Sequence, residues 1–151
     1  MKVIAAFLIL FTVTNSATTI SFEVPVEGDA QIVSEFGERT HPVLQTTRSH
    51  DGIDYKVSKD SKIVASSSGI IKSVRFLEDE GYSIIIKHDK GLETHYSHLQ
   101  SVSEDLVVGV EILQRDFLGV PGKSKYADVY MLHFRIYKNG AFIDPALYLI
   151  N

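Results

Sequence analysis

Tyr130-Met131-Leu132-His133-Phe134-Arg135-Ile136-Tyr137 is the stretch on which the fold turns. In a strand, successive side chains point to opposite faces. Leu132, Phe134 and Ile136 then share one face, and Met131, His133 and Arg135 share the other. The apolar face can enter a core, which leaves His133 pointing into a groove on rigid backbone. The run closes at Lys138-Asn139-Gly140, and an Asn-Gly pair is a strong hairpin signal.

Working outward, short β-rich runs alternate with turns. Gly69 to Leu77 reads as strand, Glu78-Asp79-Glu80-Gly81 as turn and Tyr82 to His88 as strand. Asp89-Lys90-Gly91 then turns the chain into Leu92 to Leu99, and Phe117 to Val120 forms a further strand. Closely spaced strands with few helical periods predict an all-β domain, a single antiparallel sheet or sandwich-like unit. A short helix is expected at Pro145 to Leu149.

At 151 residues the chain can form one domain with a real core. Its hydrophobic content of 44% and mixed charge argue against a disordered chain. A net charge of -4 argues against nonspecific nucleic-acid binding, which needs basic surface. Cysteine is absent, which rules out disulfides, thiolate zinc sites and a lipid-modified amino-terminal cysteine.

The amino terminus reads as a targeting segment. Lys2 supplies positive charge, Val3 to Val13 is an apolar run too short to span a bilayer comfortably, and Asn15-Ser16-Ala17 ends it with small residues. Residues 1–17 are expected to be a signal peptide, 18–33 a lead-in, and 34–151 the functional domain. The protein is then exported, periplasmic or extracellular, with no stable membrane insertion after cleavage; an uncleaved segment would act as an anchor. A buried amino-terminal strand is the competing reading.

Two motifs carry the chemistry. His50-Asp51-Gly52-Ile53-Asp54 sets an imidazole and a carboxylate four residues apart around a glycine, and Leu132-His133-Phe134 supplies a second imidazole. Two histidines and one carboxylate make a three-ligand set for a catalytic zinc with one position open. Spacing alone is also met by hydrogen-bonded structural histidines.

Four further features accompany these motifs in order. They are Phe36-Gly37-Glu38-Arg39-Thr40-His41-Pro42, Tyr96-Ser97-His98-Leu99, Asp116-Phe117-Leu118-Gly119, and the closing Asn139-Gly140 to Asp144-Pro145. Together with the first two they resemble the lysostaphin-like, LytM-type zinc metallopeptidases, over about Ser34 to Leu149. The resemblance implies an antiparallel β-sheet groove, one zinc, and cleavage of peptide stems or cross-bridges in bacterial peptidoglycan. It assigns His50, Asp54 and His133 as zinc ligands. His98 takes the catalytic role of facing the metal water and stabilising or protonating the tetrahedral intermediate, and Arg39 sits near the site. His41 and His88 fall at familiar positions with structural roles.

The chain departs from the family at the last motif. The family pattern is Gly-Pro-His-Leu-His; here it is Val129-Tyr130-Met131-Leu132-His133, so Met131 replaces the first histidine, a proposed general base. A thioether takes up no proton usefully, and losing a general acid-base group typically costs roughly 100- to 10,000-fold. The loop from Lys123 to Asp128 lacks the usual glycines, and Arg115 replaces another before Asp116. Alternation sets His95 on the face opposite His98, as a surface residue, and Asp51 reads as a solvated turn residue. Two functions follow: a secreted zinc endopeptidase acting on peptidoglycan, with reduced activity, or a catalytically inactive wall-binding or regulatory module of the same fold.

Overall fold

The computed structural model describes residues 20–40, 46–78, 80–123 and 128–150. The expected signal peptide, His41 and loop residues 124–127 lie outside the described residues. Among the described residues the regular structure is β-strand apart from two single 3-10 turns.

An eleven-stranded antiparallel sheet forms the body. Its main path runs Glu111–Ile112, Gly69–Leu77, Gly81–Lys87, Leu92–Val102, Phe117–Lys123, Tyr130–Lys138, Ile53–Val57 and Ala30–Ser34. One edge of Leu92–Val102 pairs with Gly81–Lys87 and the other is shared between two neighbours. Leu92 to Ser97 pair with Tyr130–Lys138, and Leu99 to Val102 pair with Phe117–Lys123.

The alternation of the Tyr130–Lys138 strand is realised as expected. Leu132, Phe134 and Ile136 are fully buried, while Met131, His133 and Arg135 are partly exposed. Tyr96 packs on Phe134 with ring centroids 5.4 Å apart. Asn139 and Gly140 both hold positive φ, 47° and 102°, and turn the strand into Ala141–Ile143. Two successive positive φ values are what a two-residue hairpin of this twist requires.

The segment before Ser34 is also built into the domain. Phe22 and Val26 are buried, Phe22–Glu23 pairs in parallel with Leu149–Ile150, and Val26–Glu27 pairs with Lys62–Val64. That pairing shortens the helix expected at Pro145 to Leu149. Pro145–Leu147 makes one 3-10 turn capped by Asp144, and Leu149–Ile150 is drawn into extended pairing instead.

Candidate metal centre

Three strands, two of them paired in the main sheet and one in a separate two-stranded sheet, assemble the site. Gly37–Thr40 and Thr47–His50 form a small hairpin that ends on His50. The Asp51-Gly52 turn leads into Ile53–Val57, where Asp54 lies directly opposite His133 in register. Gly52 permits this join. A methyl group there would overlap the Phe134 carbonyl oxygen, lie 2.5 Å from Cγ of Arg135 and lie 3.1 Å from Cε1 of His133.

His50, Asp54 and His133 therefore converge, with one donor atom from each lying within 4.8 Å of the others. His50 Nε2 is 3.2 Å from Asp54 Oδ1 and 3.3 Å from His133 Nδ1. His133 Nδ1 is 2.6 Å from Asp54 Oδ1. The other ring nitrogen of His50, Nδ1, lies 2.7 Å from the carbonyl oxygen of Glu35. That contact fixes Nδ1 as the protonated nitrogen and leaves Nε2 as a lone-pair donor facing the cluster. Burial opposes ionisation of Asp54. The close contact with His133, together with the nearby His50 and Arg39, outweighs burial and holds Asp54 below the usual carboxylate range. Arg39 Nη2 lies 3.4 Å from Asp54 Oδ2, so Arg39 is beside the site.

His98 reaches the same groove through a break in its strand. Regular alternation would turn it inward with Thr94 and Tyr96. Instead it holds φ 67° at a register shift between Tyr96 and Leu99. The left-handed conformation re-aims the ring toward His133, with centroids 6.1 Å apart. Burial lowers its pKa first and the neighbouring His133 adds to this, so the neutral ring is favoured. A cleft of about 580 Å³ opens beside it, lined by Phe76, Glu80, Gln100, Lys123 and Tyr130 among others. A larger depression of about 680 Å³ surrounds Ser68, His88 and Gln114 and touches none of the four site residues; the smaller one is lined by His98 and by none of the three converging residues.

Four further residues bear on the expectations. His95 pairs with Arg135 and so shares the groove face with His133. The bulge at His98 resets the parity that had separated His95 from His98. It is not a surface residue, since its side chain is 13% exposed, packed on Phe142 and 3.5 Å from Glu93. It stays outside the three-residue cluster. Asp51 is not merely solvated: it lies 3.2 Å from His133 Nε2 and accepts from Arg135 Nη1 at 3.1 Å. His88 is buried, with its ring nitrogens on the Ser68 carbonyl and the Thr94 hydroxyl, a structural arrangement. Met131 is on the groove face, opposite Lys56 and Gly122.

Comparison with known proteins places this geometry in a family. Residues 48–145 match the model of Peptidase family M23. The DD-carboxypeptidase/endopeptidase Mpg of Neisseria meningitidis is 36% identical over 117 residues, covering 76% of this chain and 26% of that protein. The structure of Helicobacter pylori Csd3 superposes with a TM-score of 0.73 at 30% identity, over 87% of this chain and 35% of that one. A zinc-containing peptidase from Vibrio cholerae shares the fold, with a TM-score of 0.72 at 24% identity over 82% of this chain and 39% of that one. The chain spans about a quarter of the length of the curated relatives it matches most strongly. With its strand order, its converging histidines and carboxylate, and a family match over most of its length, the chain belongs to peptidase family M23.

Proposed function

We propose that this chain is an exported zinc metalloendopeptidase that hydrolyses peptide bonds in peptidoglycan stems or cross-bridges. The observation that carries the reading is the convergence of His50 Nε2, Asp54 Oδ1 and His133 Nδ1, with His98, which lines an open cleft, 6.1 Å from His133 between ring centroids. Zinc–ligand lengths of about 2.0–2.1 Å in a tetrahedron separate ligand atoms by about 3.3 Å. The observed separations of 2.6, 3.2 and 3.3 Å are of that order. Two neutral nitrogens and one carboxylate oxygen are also the donor types zinc takes when a fourth position stays open. The residues fit the metal.

Zinc bound there supplies a Lewis acid that polarises the scissile carbonyl and lowers the pKa of a bound water to about 7. The chain's own residues do the rest. His50, Asp54 and His133 would hold the metal, and Arg39, beside Asp54, adds to the contacts that hold its carboxyl below the usual range. His98, with its neutral ring favoured and next to His133, would donate an N–H hydrogen bond to the oxygen on which negative charge develops, or would take a proton from the attacking water and pass that proton to the leaving amine. Met131 supplies no proton acceptor at the second groove position, so slow hydrolysis is the expected consequence. The substrate class is taken from the named relatives, among them Mpg and the peptidoglycan DD-endopeptidases ShyA and ShyC of Vibrio cholerae.

Peptide release from purified peptidoglycan tests this, with equal zinc content confirmed in every protein. The parent is expected to release peptides slowly, His98→Ala to release none, and Met131→His to release more than the parent. A zinc-loaded parent that binds wall without cleaving it would replace this reading with the inactive wall-binding module. A Met131→His protein that is slower than a robust parent would assign Met131 to a reorganised site.

A further inference from the structure

His50 and His133 are held by different means. The outward nitrogen of His50 meets a neutral backbone carbonyl, that of Glu35, at 2.7 Å. The outward nitrogen of His133, Nε2, meets a carboxylate oxygen of Asp51 at 3.2 Å. The second oxygen of Asp51 accepts from Arg135 Nη1 at 3.1 Å. Arg135 is itself positioned, with its guanidinium 4.8 Å over the Phe142 ring. A chain therefore runs from Phe142 through Arg135 and Asp51 to the ring of His133.

We propose that Asp51, held by Arg135, is a positioning residue that fixes the tautomer and orientation of His133 and thereby tightens metal binding. The inference rests on the zinc reading of the site. A carboxylate accepting from Nε2–H leaves Nδ1 unprotonated, and Nδ1 is the atom that faces His50 and Asp54. An anionic acceptor also raises the basicity of the imidazole more than a carbonyl does. Arg135 sets the partner's place and offsets its charge, so Asp51 can stand beside the site without adding an unpaired negative group.

The local backbone supports this arrangement. Gly52 sits against the Phe134 carbonyl and the stem of Arg135, and the Asp51 carboxylate just before it lies 3.2 Å from Nε2 of His133. Arg135 and His133 are two positions apart on one strand and face the same way. One strand thus supplies both the ring and the group that holds its partner, and only the turn before Asp54 must meet it.

Zinc affinity measured by chelator competition on the full chain tests the proposal without using catalysis. Asp51→Ala is expected to weaken zinc binding about 10- to 100-fold. Asp51→Asn keeps an oxygen that can accept from Nε2–H, so its loss should be smaller. Arg135→Gln should weaken binding in the parent background and add nothing once Asp51 is alanine. A purely structural role would show as a lower unfolding midpoint of the metal-free protein, with no such dependence of one change on the other. Nitrogen chemical shifts of the zinc-loaded protein should place the His133 proton on Nε2. If Asp51→Ala does not fold, Asp51→Asn and Arg135→Gln decide. Unchanged zinc affinity in the folded variants, with a parent that binds zinc and a His133→Ala protein that does not, overturns the inference. A folded parent that binds no zinc overturns the metal reading beneath it.

Discussion

Leu92–Ser97 and His98–Val102 belong to one strand and follow different rules. Up to Ser97 each residue pairs in unbroken register with Tyr130–Lys138, from Leu92 opposite Lys138 to Ser97 opposite His133. Thr94 and Tyr96 turn inward and are fully buried. At His98 the pairing passes to Phe117–Lys123, the register shifts and φ becomes positive. The regular half builds the core and meets the three converging residues through the register pair Ser97–His133. The irregular half delivers the histidine that faces them. Periodicity holds the molecule together, and a local departure from it places the reactive side chain. The turn at Gly52 is a second such departure, and it serves Asp51, Asp54 and His133 together.

The largest expected effect lies in the regular half. Phe134 is fully buried against Tyr96, so Phe134→Ala should cost about 3–5 kcal/mol of folding stability. Met131→Ala, one strand face away, should cost under about 1 kcal/mol because its side chain is only partly buried. Denaturant unfolding of both variants measures the difference. Similar costs would break the division between a packed face and a groove face.

An intermediate effect is expected at the turn. Gly52→Ala forces a methyl group into backbone and side-chain atoms that have no free end to swing away. A stability loss of about 1–3 kcal/mol is expected from such overpacking, together with weaker zinc binding as the turn moves off His133. Full zinc affinity in a destabilised Gly52→Ala protein would separate the turn's packing role from its role in the site.

The smallest effect distinguishes backbone from side chain at His98. A non-glycine residue at φ 67° is strained, by roughly 1–2 kcal/mol for the left-handed region. His98→Gly and His98→Ala both remove the imidazole, so both should abolish peptide release. His98→Gly should nevertheless be about 1 kcal/mol more stable than His98→Ala in urea titration. Equal stabilities would show that the bulge carries no strain, and retained peptide release in either would remove His98 from the chemistry.

These contrasts also explain what could be read from the sequence. The alternation of Tyr130 to Tyr137, the Asn139-Gly140 hairpin and the turn before Gly81 were all legible, because each rests on strictly local rules. The grouping of His50, Asp54 and His133 was legible through the family pattern, since their convergence depends on strands far apart in sequence. His95 was misplaced because parity counts fail across a bulge, and His98 carries no glycine to advertise one. Asp51 was passed over because a carboxylate in a turn resembles a solvated one until its partners are known; the pairing with Arg135 exists only in three dimensions. Arg115 is similar: it stands where the family often has glycine and holds φ 72° regardless. The helix expected after Pro145 gave way to strand pairing with Phe22–Glu23, a contact between the two ends of the described chain.

The central claim is that His50, Asp54 and His133 act together as one zinc site. Elemental analysis of protein purified without added metal tests it most directly, on the parent and on His50→Ala, Asp54→Ala and His133→Ala proteins of confirmed fold. About one zinc per chain in the parent, on that three-ligand count, and its loss in each variant is the predicted result. A folded parent without zinc, or zinc content unchanged by any one of the three substitutions, would contradict it.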